Sequence, residues 1–428
     1  MTDAPTAAST DRPAEHVAIL GRVVTPDEVI DDGALVLAEG HVVWVGPRAA
    51  AASAGRGEIA DAVRRAPQPD PGTVVLPGLV DLHNHGGGGA GFPDSHDVAQ
   101  AMVAVAEHRR HGTTTMLASL VTADRDTLLE RAAMLAGLAE AGEIAGIHAE
   151  GPFLSHARRG AQSPENLLAG DAGLVRALAE AARGHLRTMT VAPEVDGVVG
   201  DGGAAEALVE AGVLPSLGHT DATTEEAEAL VRQVAGALRT AADEGAPARR
   251  MTATHLFNGM RPLHHRAPGP VAACLAAAAR GDLVVELIAD DVHLAPATVR
   301  TVMETVGADN VALVTDAMAA AGMADGSYEL GPMAVTVSDG VARLADGDGP
   351  DGGSIAGGTA HLIDVVRRAV AAGVPLADAV RAASWVPARV LGLGDVGGLA
   401  LGCRADVVVT DADLRVRQVL RGGVPVDV

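Results

Sequence analysis

From residue 79 onward, short apolar runs alternate with longer amphipathic ones. The runs are "LVDLHNH" (79–85), "GTTTMLASL" (112–120), "IAGIHAEG" (144–151), "LRTMTVAPE" (186–194), "VLPSLGHT" (213–220), "MTATHLFN" (251–258), "LVVELIADDVH" (283–293) and "VALVTDAM" (311–318). Their spacing is about thirty residues, the size of one strand–helix unit. Ala-rich segments with helical periodicity lie between them, such as "DVAQAMVAVAEHRRHG" and "TTEEAEALVRQVAGALRTAADEG". The pattern predicts an α/β fold, a (β/α)8 TIM-like barrel over residues 77–395. The flanks differ. Residues 16–76 and 396–428 read as short strands without helical periodicity, which predicts a small β-sandwich domain assembled from both termini. Residues 1–15 are expected to be a disordered tail, and the Gly/Asp-rich piece 321–358 a hairpin and substrate loop.

Composition narrows the picture. The 428 residues are 48% hydrophobic but 1% aromatic, so the core has to be built from Ala, Val and Leu. No apolar run approaches the roughly 20 residues that span a bilayer, and the N-terminus lacks a basic start and apolar stretch. Two cysteines, Cys274 and Cys403, make no disulfide framework and fit a reducing cytoplasm. A net charge of −23 argues against nucleic acid and anionic membranes. The sequence contains no lysine, so all 32 basic residues are arginine; neither a carbamylated nor a Schiff-base lysine is available to the chemistry.

In a barrel of this kind the site gathers at the C-terminal ends of the strands. Those ends hold His83 and His85 (first), Glu150 (third), His219 (fifth), His255 (sixth), His293 (after the seventh) and Asp316 (eighth). His83 and His85 share one side of a strand, with Asn84 turned away. Alone, such a pair reads as readily as two solvated loop histidines. Sixteen histidines scattered over 428 residues would seldom place five at strand ends by chance, and together the groups predict a metal site. Imidazole and carboxylate without thiolate suit Zn²⁺, with Fe²⁺, Mn²⁺ or Co²⁺ as alternatives. A metal-activated water could attack an amide carbonyl, and Asp316 is the natural group to take the proton and pass it to the leaving nitrogen.

The motifs "PGLVDLHNHG", "GIHAEGPFL", "SLGHTDA", "THLFNGM" and "LVTDAM" resemble the N-acetylglucosamine-6-phosphate deacetylases of the amidohydrolase superfamily, and "GGLALGCRADVVVTD" resembles that superfamily's closing segment. The resemblance implies that Glu150, His219 and His255 hold a principal metal. His83 and His85 would hold a second, with Glu150 bridging in place of the carbamylated lysine of many amidohydrolases. It makes Asp316 the proton donor and acceptor. It implies substrate contacts at Ala161, Gln162, Asn258, Gly259, Arg266, His293, Ile355, Ala356 and Gly357. Arg266 would reach a phosphate across a homodimer interface. The implied partner is a small amino-sugar phosphate.

Two positions depart from the family's pattern. Gln162 stands where many members have His, and "ADDVH" replaces the usual Ala-Asp-Gly, so that Asp291 would add negative charge near a phosphate pocket. Other readings are a galactosamine-type deacetylase, another amidohydrolase such as a D-aminoacylase or dihydroorotase, and a non-catalytic barrel scaffold. A scaffold would be marked by lost ligands, and here every expected ligand is present.

Overall fold

The structure is a computed structural model that describes residues 15–345 and 353–427. The expected tail, apart from residue 15, and part of the 321–358 piece lie outside those residues. Eight parallel strands follow one another around a barrel: β1 (Leu79–Asp81), β2 (Thr113–Leu120), β3 (Gly146–Glu150), β4 (Leu186–Val191), β5 (Leu214–Leu217), β6 (Met251–Ala253), β7 (Leu283–Leu287) and β8 (Val311–Leu313). The seam between β8 and β1 is closed just beyond the strands. Asp316 N donates to His83 O (2.9 Å) and His85 N to Ala317 O (2.7 Å), while the Thr315 hydroxyl donates to the buried Asp81 carboxylate at 2.6 Å.

Strand alternation sorts the core into two layers. Leu283, Val285 and Leu287 join the main cluster, which also holds helix residues such as Leu128, Leu135 and Val302. Val284 and Ile288, on the other face of the same strand, pack with Val80, Leu117, Leu214 and Ala312 from across the barrel. Phe92 and Phe153 are the only aromatics among the largest fully buried side chains, so small aliphatics carry the core as the composition requires. Helix starts follow local chemistry: Asp97, Asp124 and Asp171 accept backbone N–H groups, and Thr223 with Glu226 forms a capping box.

Strands from both termini form one continuous seven-stranded sheet, in the order 424–426, 416–421, 407–410, 74–77, 17–24, 29–38, 41–47. Its 41–47 edge comes back onto the segment that leads into strand 407–410: Val42 N donates to Cys403 O (2.8 Å) and Ala405 N to Gly40 O (2.7 Å). The sheet thereby wraps Val23, Leu35, Val75, Val407 and Leu420 into a core of its own. Two elements depart from the all-strand expectation for this flank, a 3-10 helix at Arg48–Ser53 and an α-helix after it. Residues Gly57–Arg65 form a helix that lays Ile59, Ala62 and Val63 against the sheet's other face. After β8, a three-stranded antiparallel meander (326–330, 333–338, 341–344) packs Leu330, Val335 and Val337 on Val121 and Met318 near the barrel mouth. Among the described residues no helix is long and apolar enough to cross a membrane.

Candidate active site

Four imidazoles and two carboxylates converge where β1, β3, β5, β6 and β8 end. Glu150 Oε1 lies 2.9 Å from His255 Nε2, 3.0 Å from His219 Nε2 and 3.6 Å from His83 Nε2. Its other oxygen is 3.3 Å from His85 Nε2. Asp316 Oδ1 stands 3.3 Å from the Nε2 atoms of both His83 and His85, which are themselves 3.0 Å apart. His219, His255 and Asp316 all adopt positive φ (46°, 29° and 49°), backbone strain of the kind that clusters at functional sites.

The donor set fits a divalent cation, and two overlapping groups, His83–His85–Asp316 and His83–Glu150–His255, have ligand atoms close enough to share an ion. Burial alone would push Glu150 up, yet His219 and His83 hold it well below the usual carboxylate range. Burial would likewise lower His85 and His255, but Asp316 and Glu150 push His85 up to about 10, and Glu150 raises His255 to about 9. Asp316 is held deprotonated against its own burial by His83 and His85. Carboxylates and imidazoles thus hold one another in their charged forms.

The rings are held from behind. His219 Nδ1 bonds to the carbonyl of Arg158 (2.9 Å) and His85 Nδ1 to that of Ser119 (3.2 Å). His83 Nδ1 faces Glu286 Oε2 at 3.4 Å, and the same oxygen lies 3.4 Å from His255 N. Glu286 and His148, both buried, escaped the sequence reading. Each was marked by strand alternation: Glu286 shares the inward face of β7 with Val284 and Ile288, and His148 sits two residues before Glu150. Burial and then neighbouring His83 keep His148 neutral, between the hydroxyls of Ser119 (3.0 Å) and Thr190 (2.8 Å). Gly259 is required by close approach: at φ 58°, a Cβ there would lie 2.8 Å from His219 Nδ1.

A cavity of about 340 Å³ opens onto the cluster. Of the expected residues, it is lined by His85, Glu150, His219, His255, Asp316, Ala161, Gln162, Asn258, Gly259, His293, Ile355 and Gly357. His83 and Ala356 are fully buried behind that surface. Arg266 is not brought in: it is exposed on the loop after residue 260 and stands outside the lining. Arg158 lines the cavity and was not anticipated. Gln162 accepts from Thr122 N (2.8 Å) and donates to Glu150 Oε2 (2.5 Å), so the amide braces the central carboxylate. Asp291 does not charge the cavity. It is exposed, 3.7 Å from Arg368 Nε, with φ 63°, a conformation that Asp tolerates better than most residues. Asp290 instead faces inward, accepting from His293 N and facing His293 Nδ1 at 2.7 Å.

The model of the amidohydrolase family matches residues 74–426. The chain belongs to the amidohydrolase family. Its relatives narrow the likeness. An N-acetylglucosamine-6-phosphate deacetylase of Lysinibacillus sphaericus is 32% identical, over 82% of this chain and 85% of its own. An N-acetylgalactosamine-6-phosphate deacetylase of Escherichia coli O157:H7 is 31% identical, over 94% and 97%. A mutant N-acetyl-D-glucosamine-6-phosphate deacetylase of Mycobacterium smegmatis, solved in complex with N-acetyl-D-glucosamine-6-phosphate, superposes with a TM-score of 0.81 at 40% identity, covering 97% of this chain and all of that one.

Proposed function

We propose that the protein hydrolyses the acetamide of N-acetyl-D-glucosamine 6-phosphate to D-glucosamine 6-phosphate and acetate, in amino-sugar catabolism. The observation that carries the reading is the Glu150 carboxylate, with the Nε2 atoms of His83, His219 and His255 within 3.6 Å of one oxygen, beside Asp316 on the wall of an open cavity. Glu150, His219 and His255 would hold the principal ion, and His83 and His85 a second bridged by Glu150. Zn²⁺ suits the donors best, with Fe²⁺, Mn²⁺ or Co²⁺ as alternatives. A bound divalent ion supplies a Lewis acid that polarises an amide carbonyl and makes water nucleophilic near neutral pH.

The rest is done by the chain's own residues. Asp316, already deprotonated and 3.3 Å from His83 and His85, takes the proton of the attacking water and returns it to the leaving nitrogen. Asn258, Gly259, Ala161, His293, Ile355 and Gly357 orient the sugar, with Gln162 bracing Glu150 and Ala356 packed behind. Arg266, on an exposed loop, would contact the phosphate in a second subunit of a homodimer, as the resemblance implies. We place the enzyme in the cytoplasm.

The test is to incubate the metal-loaded protein with N-acetylglucosamine 6-phosphate and its galacto epimer, assaying acetate and free amine. The reading expects equimolar release and a preference for the gluco sugar. A preference for the epimer would move the protein beside its E. coli relative, and no release from either would overturn the assignment.

A further inference from the structure

The acidic chain has to receive a sugar phosphate, and the arginine that the resemblance supplies for this, Arg266, does not line the cavity of its own subunit. We propose that Arg158 is the in-subunit anchor for the substrate's phosphoryl group. The proposal rests on the phosphorylated-substrate reading above.

Arg158 is the sole arginine among the described residues lining the cavity. Its fork is held from one end, with Nε donating to Asp221 Oδ1 at 2.8 Å. Among the described residues its two Nη atoms make no hydrogen bond, so the pair of donors that matches two phosphate oxygens stays available. Asp221 is shared: Arg261 Nη2 donates to its other oxygen at 2.7 Å, and Glu194 accepts from Asp221 N at 2.6 Å. The Arg158 carbonyl holds His219 Nδ1 and lies 3.3 Å from where a Cβ on Gly259 would sit. The backbone of Arg158 therefore packs against His219 and beside the Asn258–Gly259 stretch assigned to the sugar.

The rival role is a clamp, with Asp221 tying the loop of Arg158 to that of Arg261 and no part in recognition. Kinetics separate the two. In the metal-loaded enzyme, Arg158→Ala should lower kcat/KM for the phosphorylated sugar by about 10–100-fold, the scale of a lost charge-assisted hydrogen bond. It should leave unphosphorylated N-acetylglucosamine nearly unchanged and weaken competitive inhibition by inorganic phosphate in parallel. Arg158→Lys, which keeps the charge and loses the fork, should fall between the two. Metal content should stay constant, because His219 is held by a main-chain carbonyl. An unchanged ratio of the two sugars, or an equal loss on both, in either variant makes Arg158 a clamp and overturns the proposal. A wild-type enzyme indifferent to the phosphoryl group overturns instead the substrate reading beneath it.

Discussion

At the barrel mouth, His83, His85, His219 and His255 surround Glu150 and Asp316; on the flank, His108, His111 and His361 gather near Glu107. Both clusters are built from the same residue types, and both bring three ligand-type atoms within reach of one ion. What their nitrogens face divides them. At the mouth, the Nε2 atoms of His83, His219 and His255 all lie within 3.6 Å of Glu150 Oε1, although His83 is edge-on to His85 at 63° and stacked on His255 at 25°. On the flank, His111 and His361 are stacked at 3.6 Å and 13°, which sets their in-plane lone pairs side by side. The flank nitrogens are also spent locally: His361 Nε2 is 2.9 Å from Glu107 Oε1 and His111 Nδ1 is 2.8 Å from the Glu107 carbonyl, while His361 caps the helix Leu362–Ala371. The charge states run in opposite directions. Carboxylates raise His85 and His255, whereas burial and then His361 push His108 down to about 3. Histidine density therefore does not identify a metal site; convergence on shared carboxylate oxygens, with the Nδ1 atoms of His83, His85 and His219 already anchored, does.

The comparison breaks if the two clusters respond alike. The largest difference is expected from Glu150→Gln, which should abolish stoichiometric metal and turnover together, whereas Glu107→Gln should leave metal content as it was. Elemental analysis of both variants decides this, and full metal in Glu150→Gln would mean the imidazoles suffice. Asp316→Asn should keep the fold and substrate binding yet lose roughly 10²–10⁴-fold in kcat, the range for an acid–base group; near-normal turnover would hand the proton to another residue.

A finer test bears on Glu286. Carboxylates behind ligating histidines typically contribute 10–100-fold in metal affinity, so Glu286→Gln should weaken the ion at His83 and His85 by about that factor. Titrating the metal-free protein with Co²⁺ and following the visible spectrum would read this, and an unchanged isotherm would reduce Glu286 to barrel filler. On the flank, His361→Ala should cost about 1–3 kcal/mol, the penalty for leaving the buried Glu107 without its donor, visible as a lower Tm at constant metal content and turnover.

The effect confined to acid is a loss of stability. His108 titrates near 3 when folded against an ordinary 6.5, so between those values the unfolded chain binds a proton that the folded one refuses. Stability contributed by neutral His108 is complete above about pH 6.5 and is lost as pH falls toward 3. His108→Asn should flatten the slope of Tm against pH in that window; an unaltered slope would assign it to other groups.

Much of this was readable from the chain. The strand rhythm placed all eight barrel strands, and reading only their ends collected every residue of the mouth cluster, because a parallel barrel presents those ends together. Glu286 was legible in principle as a charge on an inward-facing position, but in "LVVELI" it passes for an interruption of an apolar run. Arg158 was not legible. "HARRG" has no periodicity, and which of its two arginines turns inward depends on Asp221, sixty-three residues away. The helix Gly57–Arg65 is short, nine residues, with an apolar stripe of only Ile59, Ala62 and Val63. Arg266 marks a different limit: the phosphate contact that the resemblance implies for it would lie in another copy of the chain, and the lining of its own cavity does not include it.

The central position of Glu150 has a consequence for how the site is made. Amidohydrolases that bridge their ions with a carbamylated lysine must first capture carbon dioxide, and they lose the bridge when it is stripped away. Here the bridging candidate is encoded in the polypeptide, in a chain without a single lysine. Reconstitution from the metal-free protein should therefore need only the metal salt, proceeding equally well in degassed buffer and in bicarbonate.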